Sequence, residues 1–462
     1  MRNSIIYIIL PILLSFLNPV SAQNTAAHPA LEHLTLDEAI NWSLNNNPGL
    51  IAQRLKVQQE EQELARIRLN KIPDVFLSGD LRRNLIVPST PIPATIMNPQ
   101  ADPAEVLYMK FNTGWNSSAG INLSFDIFNP ADYRQTMEQK LQRKIRNYDL
   151  QISETDIRTE VTKAYAACVI SKEQLTSISN DTAYYSESLS EAAILYDQKK
   201  ISLTDKNSIV IAYNVSKMQY HNAENILNES KANLLYLLGV EATTDNLQTM
   251  ALSEDIPTLY AKINSEIRQY ADVNSATDSV LAGSNLARQS EVIALAQSRI
   301  KTSRLKNAPS VTLNGFYGSN YYSNDFNPGK SEFWHGNSYL TVSLKIPVTQ
   351  AFSISKETNR LKLQEQIERE NLRDLQNSKS KEWIEARSRL TISVKEYEMF
   401  RQNYELSTEN LKARRAELEK AYIQEKDYLK ELVNTANAYQ SFLKAAYNVF
   451  INTIELQRLE SE

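Results

Sequence analysis

Residues 120–127 alternate in polarity. Ile121, Leu123, Phe125 and Ile127 fall on one side, and Asn122, Ser124 and Asp126 on the other. That period of two is a strand with one apolar and one polar face. Asn129-Pro130 then reads as an N-cap followed by proline at the first helical position. Beyond it the apolar period lengthens to that of a helix, with no Gly or Pro before Gly239. A continuous helix from Pro130 to Tyr196 would be ~100 Å long. No compact soluble domain has a core deep enough to hold it.

The rest of the chain falls into the same kinds of element. Thr35 and Glu38 form a capping-box pattern that opens a helix at Leu36, interrupted at Asn47-Pro48-Gly49. A second helix runs to about Lys71 and stops at Ile72-Pro73. Residues 74–87 alternate as a strand, and a Pro- and Asn-rich loop follows. The strand over 117–128 and its long helix come next. A turn at Gln198-Lys199-Lys200-Ile201-Ser202 leads to a return helix from about Leu203 to Leu238, closed by Gly239.

This plan then recurs. Pro73-Asp74-Val75-Phe76-Leu77-Ser78-Gly79 matches Pro309-Ser310-Val311-Thr312-Leu313-Asn314-Gly315 at a constant offset. Strands are expected over 310–322 and 338–348, then a long helix from about Phe352 to Tyr422, a turn near Gln424, and a return helix ending near Leu456. Ile209, Tyr213, Ser216, Tyr220, Ala223, Leu227, Ser230, Leu234 and Leu237 keep heptad spacing in the first return helix. In the second, Thr435, Phe442, Val449 and Leu456 meet Tyr213, Tyr220, Leu227 and Leu234 in register. The repeats therefore span 23–239 and 284–462, with a side segment at 240–283.

Composition narrows the class. The chain has 462 residues, 50 basic and 54 acidic, with a formal charge of −4, so it has no overall basic field for nucleic acid. The mean hydropathy of −0.42 excludes a bundle of membrane-spanning helices. Residues 1–22 read as a secretory signal peptide: Arg2, an apolar run from Ile5 to Leu17, and Val20-Ser21-Ala22 before Gln23. No lipobox cysteine stands at that site. Cys168 is the only cysteine and is read as a small packed residue in the heptad seam, and the four histidines have no metal-ligand spacing. There is no P-loop, nucleotide fingerprint or nucleophile motif, so neither an enzyme nor a cofactor is expected. If the mature chain crosses a membrane, it must do so through a closed β-barrel. Four two-faced strands cannot close one, since small barrels start at about eight. The chain must then share a barrel with other copies.

In this ordered, duplicated plan the chain resembles the TolC-like outer-membrane efflux proteins over essentially its whole mature length. The resemblance rests on Leu34-Thr35-Leu36-Asp37-Glu38-Ala39 and the doubled strand starts at Pro73 and Pro309. It rests also on the strand-to-helix junctions Phe128-Asn129-Pro130 and Ile346-Pro347-Val348, and on the two hairpin tips. It implies an α+β membrane protein: a homotrimer with four strands per protomer in one twelve-stranded outer-membrane barrel. A coiled-coil α-helical tunnel would continue into the periplasm, with residues 240–283 and the termini at mid-height. It further implies a periplasmic adaptor, an inner-membrane pump and outer-membrane lipid as partners.

The family often carries acidic rings at the closed periplasmic end. Asp427 is the matching candidate, with Glu431 beside Lys430 one turn later and Asp205 as the first-repeat counterpart, itself read as a cap or first-turn acid. Three symmetry-related carboxylates would repel each other and attract cations. Lys199, Lys200 and Lys426 are candidates for adaptor contact, or else solvated turn residues. Tyr317, Tyr321, Tyr322, Trp334 and Tyr339, with Phe333 nearby, are candidates for an aromatic belt at the membrane interface or for packing within a loop. Arg82 and Arg83 sit near the first loop, facing lumen or lipopolysaccharide. Two functions remain open at this point. One is an outer-membrane exit duct of a tripartite efflux or type I secretion system. The other is a structural or adhesive coiled-coil stalk at the cell surface.

Overall fold

A computed structural model of the chain describes residues 31–258, 261, 283–420 and 422–461. The expected leader, 1–22, and most of the stretch 259–282 within the side segment lie outside these residues. The described part is dominated by helices: α1 (Leu36–Asn46), α2 (Pro48–Leu69), α3 (Pro130–Asp197), α4 (Leu203–Leu238), α5 (Thr244–Thr249), α6 (Ser284–Leu305), α7 (Gln350–Glu419) and α8 (Glu425–Ser461). The helix starting at Pro130 is unbroken over 68 residues and its repeat partner over 70. Six strands accompany them: β1 (Asp74–Asp80), β2 (Thr90–Pro93), β3 (Val106–Met109), β4 (Trp115–Phe128), β5 (Ser310–Ser323) and β6 (Trp334–Lys345).

The chain divides into two compact units, one built from 1–48, 157–265 and 394–451, the other from 49–156, 266–393 and 452–462. The first contains the hairpin tips. Here α4 buries Ile209, Ser216 and Ala223, and α8 buries Leu432, Thr435, Ala446 and Val449, all at the heptad positions that periodicity selects. Small residues at these positions let helices approach closely, and hydroxyls bond across the seam: Thr182 with Ser216 at 2.7 Å and Ser171 with Ser230 at 3.3 Å. Between α7 and α8 the seam is aromatic, with Tyr404 against Tyr439 (4.7 Å) and Phe442 (5.8 Å). The N-terminal lead-in is held in the same unit. Leu34 pairs with Leu252, the Tyr165 hydroxyl donates to Leu34 O (2.9 Å), and Ser43 and Asn47 donate to Leu237 O. Gly239 ends α4 at φ 73°, with Asn46 O only 2.8 Å from where a Cβ would stand, so the stop requires glycine.

The second unit holds the sheet. Its order is β1-β4-β5-β6 and every pairing is antiparallel. The strands that sequence repetition relates, β1 with β5 and β4 with β6, therefore do not touch: β4 lies between the first two and β5 between the second. The first strand is shorter than alternation over 74–87 suggests. Pairing stops at Asp80, after which the Arg82 amide is taken by the Ser117 hydroxyl (3.0 Å) and Arg83 bridges back to Trp115. The loop beyond carries its own hairpin, β2–β3, which no alternation announces because two of its four β2 residues are prolines. At the other end β6 starts four residues earlier than expected, because a tight turn at Ser331–Phe333 delivers Trp334 into register with Tyr321. Below the sheet, α2 grips α3 through Arg54–Glu154 (3.2 Å) and Gln139–Glu60 (2.6 Å), and α6 grips α7 through Gln289–Glu368 (3.0 Å) and Ser303–Thr358 (3.0 Å).

Candidate functional site

Two places gather the residues that sequence singles out. The first is the pair of hairpin tips. In the α3–α4 turn, Lys199 has φ 59°, a left-handed conformation that a lysine adopts only under strain. Asp205 is a cap: its amide donates to Ser202 Oγ (3.1 Å), while its carboxylate accepts from the Ser202 amide (3.3 Å) and hydroxyl (2.7 Å). Those bonds, the hydroxyl's first, and the nearby Lys426 hold its carboxyl below the usual range. The second tip has glutamine where the first has Ser202, so the reciprocal box is lost. Only the Gln424 amide reaches the Asp427 carboxylate, at 3.4 Å. Asp427 is exposed, while Glu431 is half-buried and accepts from Asn434 (3.3 Å).

A cleft of about 400 Å³ lies between the two turns. Asp205, Lys200 and Lys426 line it over a floor that includes Ala192, Ile201 and Ile209; Asp427, Glu431 and Lys199 do not line it. The residue that ties the cleft together is one that sequence reading passed over. Glu425 accepts hydrogen bonds from Tyr184 Oη and Ser188 Oγ, both at 2.9 Å, and so joins the start of α8 to α3. One turn further, Tyr428 packs on Tyr184 at 5.3 Å. Asp181 sits beside this group, where burial pushes its carboxyl up to about 6. Nothing in the spacing of Glu425 marks it; only the approach of α3 to α8 does.

The second place is the sheet, whose two faces differ. Direct pairing places Val75, Leu77, Ile121, Leu123, Leu313, Tyr317, Leu340, Val342 and Leu344 on one face. Several of these are largely open: Leu77 is 81% exposed, Leu340 69% and Val342 64%. Asp74, Ser78, Asp80, Asn122, Ser124, Asn314, Thr341 and Ser343 occupy the other face. The aromatic candidates divide between the two. Tyr317, Tyr321 and Trp334 belong to the apolar face, whereas Tyr322 and Tyr339 belong to the polar one.

Tyr321 is fully buried and pins the β5–β6 loop. Its hydroxyl donates to Asp325 O (2.9 Å) and accepts from the Asn327 amide (2.8 Å), while its ring meets Trp334 (5.3 Å) and Phe333 (6.1 Å). Trp334 Nε1 donates to Pro328 O (2.9 Å). Arg83 lies over Trp115, which in turn contacts Phe326, at the same end of the sheet. Cys168 is buried in α3, and its thiol is pushed up to about 12. No helix among the described residues is long and apolar enough to cross a membrane.

No family model and no curated protein matches the chain by sequence. Solved structures do match it in three dimensions. A membrane protein from Pseudomonas aeruginosa superposes with TM-score 0.71 at 13% identity, over 92% of each chain. The Campylobacter jejuni CmeC outer membrane channel gives 0.71 at 15% identity, over 92% of this chain and 85% of its own. The open-state MtrE outer membrane channel of Neisseria gonorrhoeae gives 0.67 at 14%, over 92% and 89%. The fold is the TolC-like one.

Proposed function

We propose that the chain is one protomer of a trimeric outer-membrane duct through which an efflux or secretion machine expels its cargo. One observation carries the reading. The four-stranded sheet has an exposed apolar face, a polar face, and no partner strand along the outer edges of β1 and β6 among the described residues. Such a sheet is unstable alone in water, both for its open edges and for its apolar area. It is complete when three copies close edge to edge into a twelve-stranded barrel, with leucine and valine toward lipid and serine, asparagine and aspartate toward a wet lumen. The likeness to outer membrane channels supports the same reading.

In that assembly Tyr317 and Trp334 belong on the lipid side. Tyr322 and Tyr339 face the lumen and take no part in an outer belt. The hairpin tips form the periplasmic end. Asp427, exposed and only weakly held by its own helix start, is the acid that a three-fold axis would bring into a ring, with Glu431 behind it. Asp205 serves as a helix cap. Lys200 and Lys426 border the tip cleft, where a periplasmic adaptor would dock, and Lys199 stands on the turn beside it. The duct does no chemistry of its own, and energy for export comes from a partner pump.

The reading is tested with the purified mature protein in planar lipid bilayers, wild type beside Asp427→Ala. Small cation-selective steps that change in size or selectivity in the variant support both the duct and the acidic constriction. Unchanged steps keep the duct and remove Asp427 from the gate. Failure of the folded protein to insert, together with its release from membranes by a salt wash, turns the assignment to a surface stalk.

A further inference from the structure

The polar face of the sheet is crossed by one row of aromatic rings. Phe76 of β1 pairs with Asn122 of β4, Asn122 with Phe316 of β5, and Phe316 with Tyr339 of β6. Directly paired residues share a face, so three of the four side chains in this row are aromatic. The rows to either side hold none: Ser78, Gly120, Gly318 and Asn337 on one, Asp74, Ser124, Asn314 and Thr341 on the other.

The three rings are not equivalent. Phe316 lies across Gly120 and Gly318, filling the space their missing side chains leave, and is only 9% exposed. It has a structural role. Tyr339 stacks on it, with ring centroids 5.8 Å apart and planes at 25°, yet remains 54% exposed. Phe76 is 47% exposed on the first strand, three interstrand steps from Tyr339, or about 14 Å. Packing within the sheet therefore accounts for Phe316 but leaves Phe76 and Tyr339 open; Tyr322, 38% exposed on the same face, lies against His335, and the remainder of that face is mainly serine, threonine, asparagine and carboxylates. The charged groups of that face are Asp74, Asp80 and Asp126 against Lys345 and the titratable His335, an acidic balance.

We propose that Phe76 and Tyr339 are two separate stacking positions on the lumen face for planar aromatic cations passing through the duct. The proposal rests on the duct reading and adds a place where cargo pauses. An aromatic cation gains from the π face of the ring it meets and from the surrounding carboxylates; the two rings of one chain are too far apart to hold one cation between them. Each contact is weak, as passage requires, since a site in a conduit must release what it takes up. Three copies would set six such rings around one lumen.

The test is single-channel current through the full-length mature protein in a planar bilayer, with ethidium or tetraethylammonium added as blocker. The wild type is expected to be blocked more strongly by ethidium than by tetraethylammonium. Tyr339→Leu and Phe76→Leu should each weaken ethidium block about three- to ten-fold, and Tyr339→Trp should keep it. Tyr317→Leu, on the opposite face, should leave it at the wild-type value, and tetraethylammonium block should be the same throughout. Equal ethidium block in wild type and Tyr339→Leu overturns the subsite while leaving the duct. A parallel loss of tetraethylammonium block also overturns it, since the substitution would then have changed the pore as a whole. A wild-type protein that forms no channels overturns the duct, and the subsite with it. If Phe76→Leu fails to assemble, the Tyr339→Leu and Tyr339→Trp pair decides.

Discussion

Gly120 and Gly318 stand directly opposite each other in the β4–β5 ladder, and neither has room for a side chain. A Cβ on Gly318 would lie 2.3 Å from Ala119 O and 2.6 Å from the Gly120 Cα; one on Gly120 would lie 2.7 Å from Tyr317 O. The Phe316 ring covers both, 2.8 Å from either imagined carbon. Glycine weakens a strand, and an aromatic ring laid over it restores the lost packing.

Gly318→Ala should therefore destabilise the sheet by about 1–3 kcal/mol, the usual cost of overpacking against backbone that cannot move aside. Thermal loss of the β-sheet circular dichroism signal in detergent would come several degrees earlier than in wild type. Gly329→Ala, where nothing lies within 4 Å, should leave it unchanged.

Glu425 at the second tip accepts from Tyr184 and Ser188. Glu425→Ala leaves both hydroxyls without their acceptor and should loosen the contact between α3 and α8 by about 1.5–3 kcal/mol, the range for bonds to a charged group. Glu425→Gln keeps an acceptor oxygen and should cost less. Amide exchange across residues 181–190 and 425–432 would report the loss. A double-mutant cycle with Tyr184→Phe should show coupling between the two positions; strict additivity would mean that the bond contributes nothing.

Asp181 lies among Tyr185, Tyr428 and the apolar seam, and burial raises its carboxyl to about 6 from an unfolded value near 3.8. A raised acid stabilises the folded form when protonated. Its contribution is complete below about pH 3.8 and is lost as pH rises to about 6. Asp181→Asn should therefore stabilise the tip unit at pH 7–8 and be close to neutral near pH 4. Denaturant unfolding followed at both pH values checks the sign, and a stabilisation that is larger at pH 4 would refute it.

Lys199 holds the first turn at φ 59°. Lys199→Gly should relieve the strain and stabilise the turn by roughly 0.5–1 kcal/mol, the greater flexibility of unfolded glycine offsetting part of the gain. Lys199→Val should act in the opposite direction, because a β-branched residue tolerates this conformation least. Protease susceptibility of the intact protein at residues 197–202 would rank the three forms.

Much of the architecture was legible before any coordinates. The strand-to-helix switch at Asn129-Pro130, the heptads of α4 and α8, the Thr35–Glu38 cap and the duplication are all local, and each follows from a period or a cap that a few neighbouring residues define. The apolar and polar strand faces were legible for the same reason. Boundaries were less so. β1 ends at Asp80, beyond which Ser117, 35 residues from Arg82, captures the Arg82 amide, and β6 begins at Trp334 because a turn fixes its register on Tyr321.

What the sequence by itself determined is the list of elements, their order and the polarity of each face, because side-chain periodicity and backbone preference act over one or two turns of chain. What only the tertiary structure decided is which residues meet. The aromatic candidates lie on two strands, and strand pairing placed Tyr317, Tyr321 and Trp334 on one face and Tyr322 and Tyr339 on the other, since one step along a strand reverses a side chain. Phe76, Phe316 and Tyr339 became one row only through a register spanning three pairings. Glu425 became the tie of the tip cleft only because two helices more than 200 positions apart in the chain bring a carboxylate to a tyrosine. No local period carries that information: hydrogen bonds and close packing between distant segments are set by the whole fold.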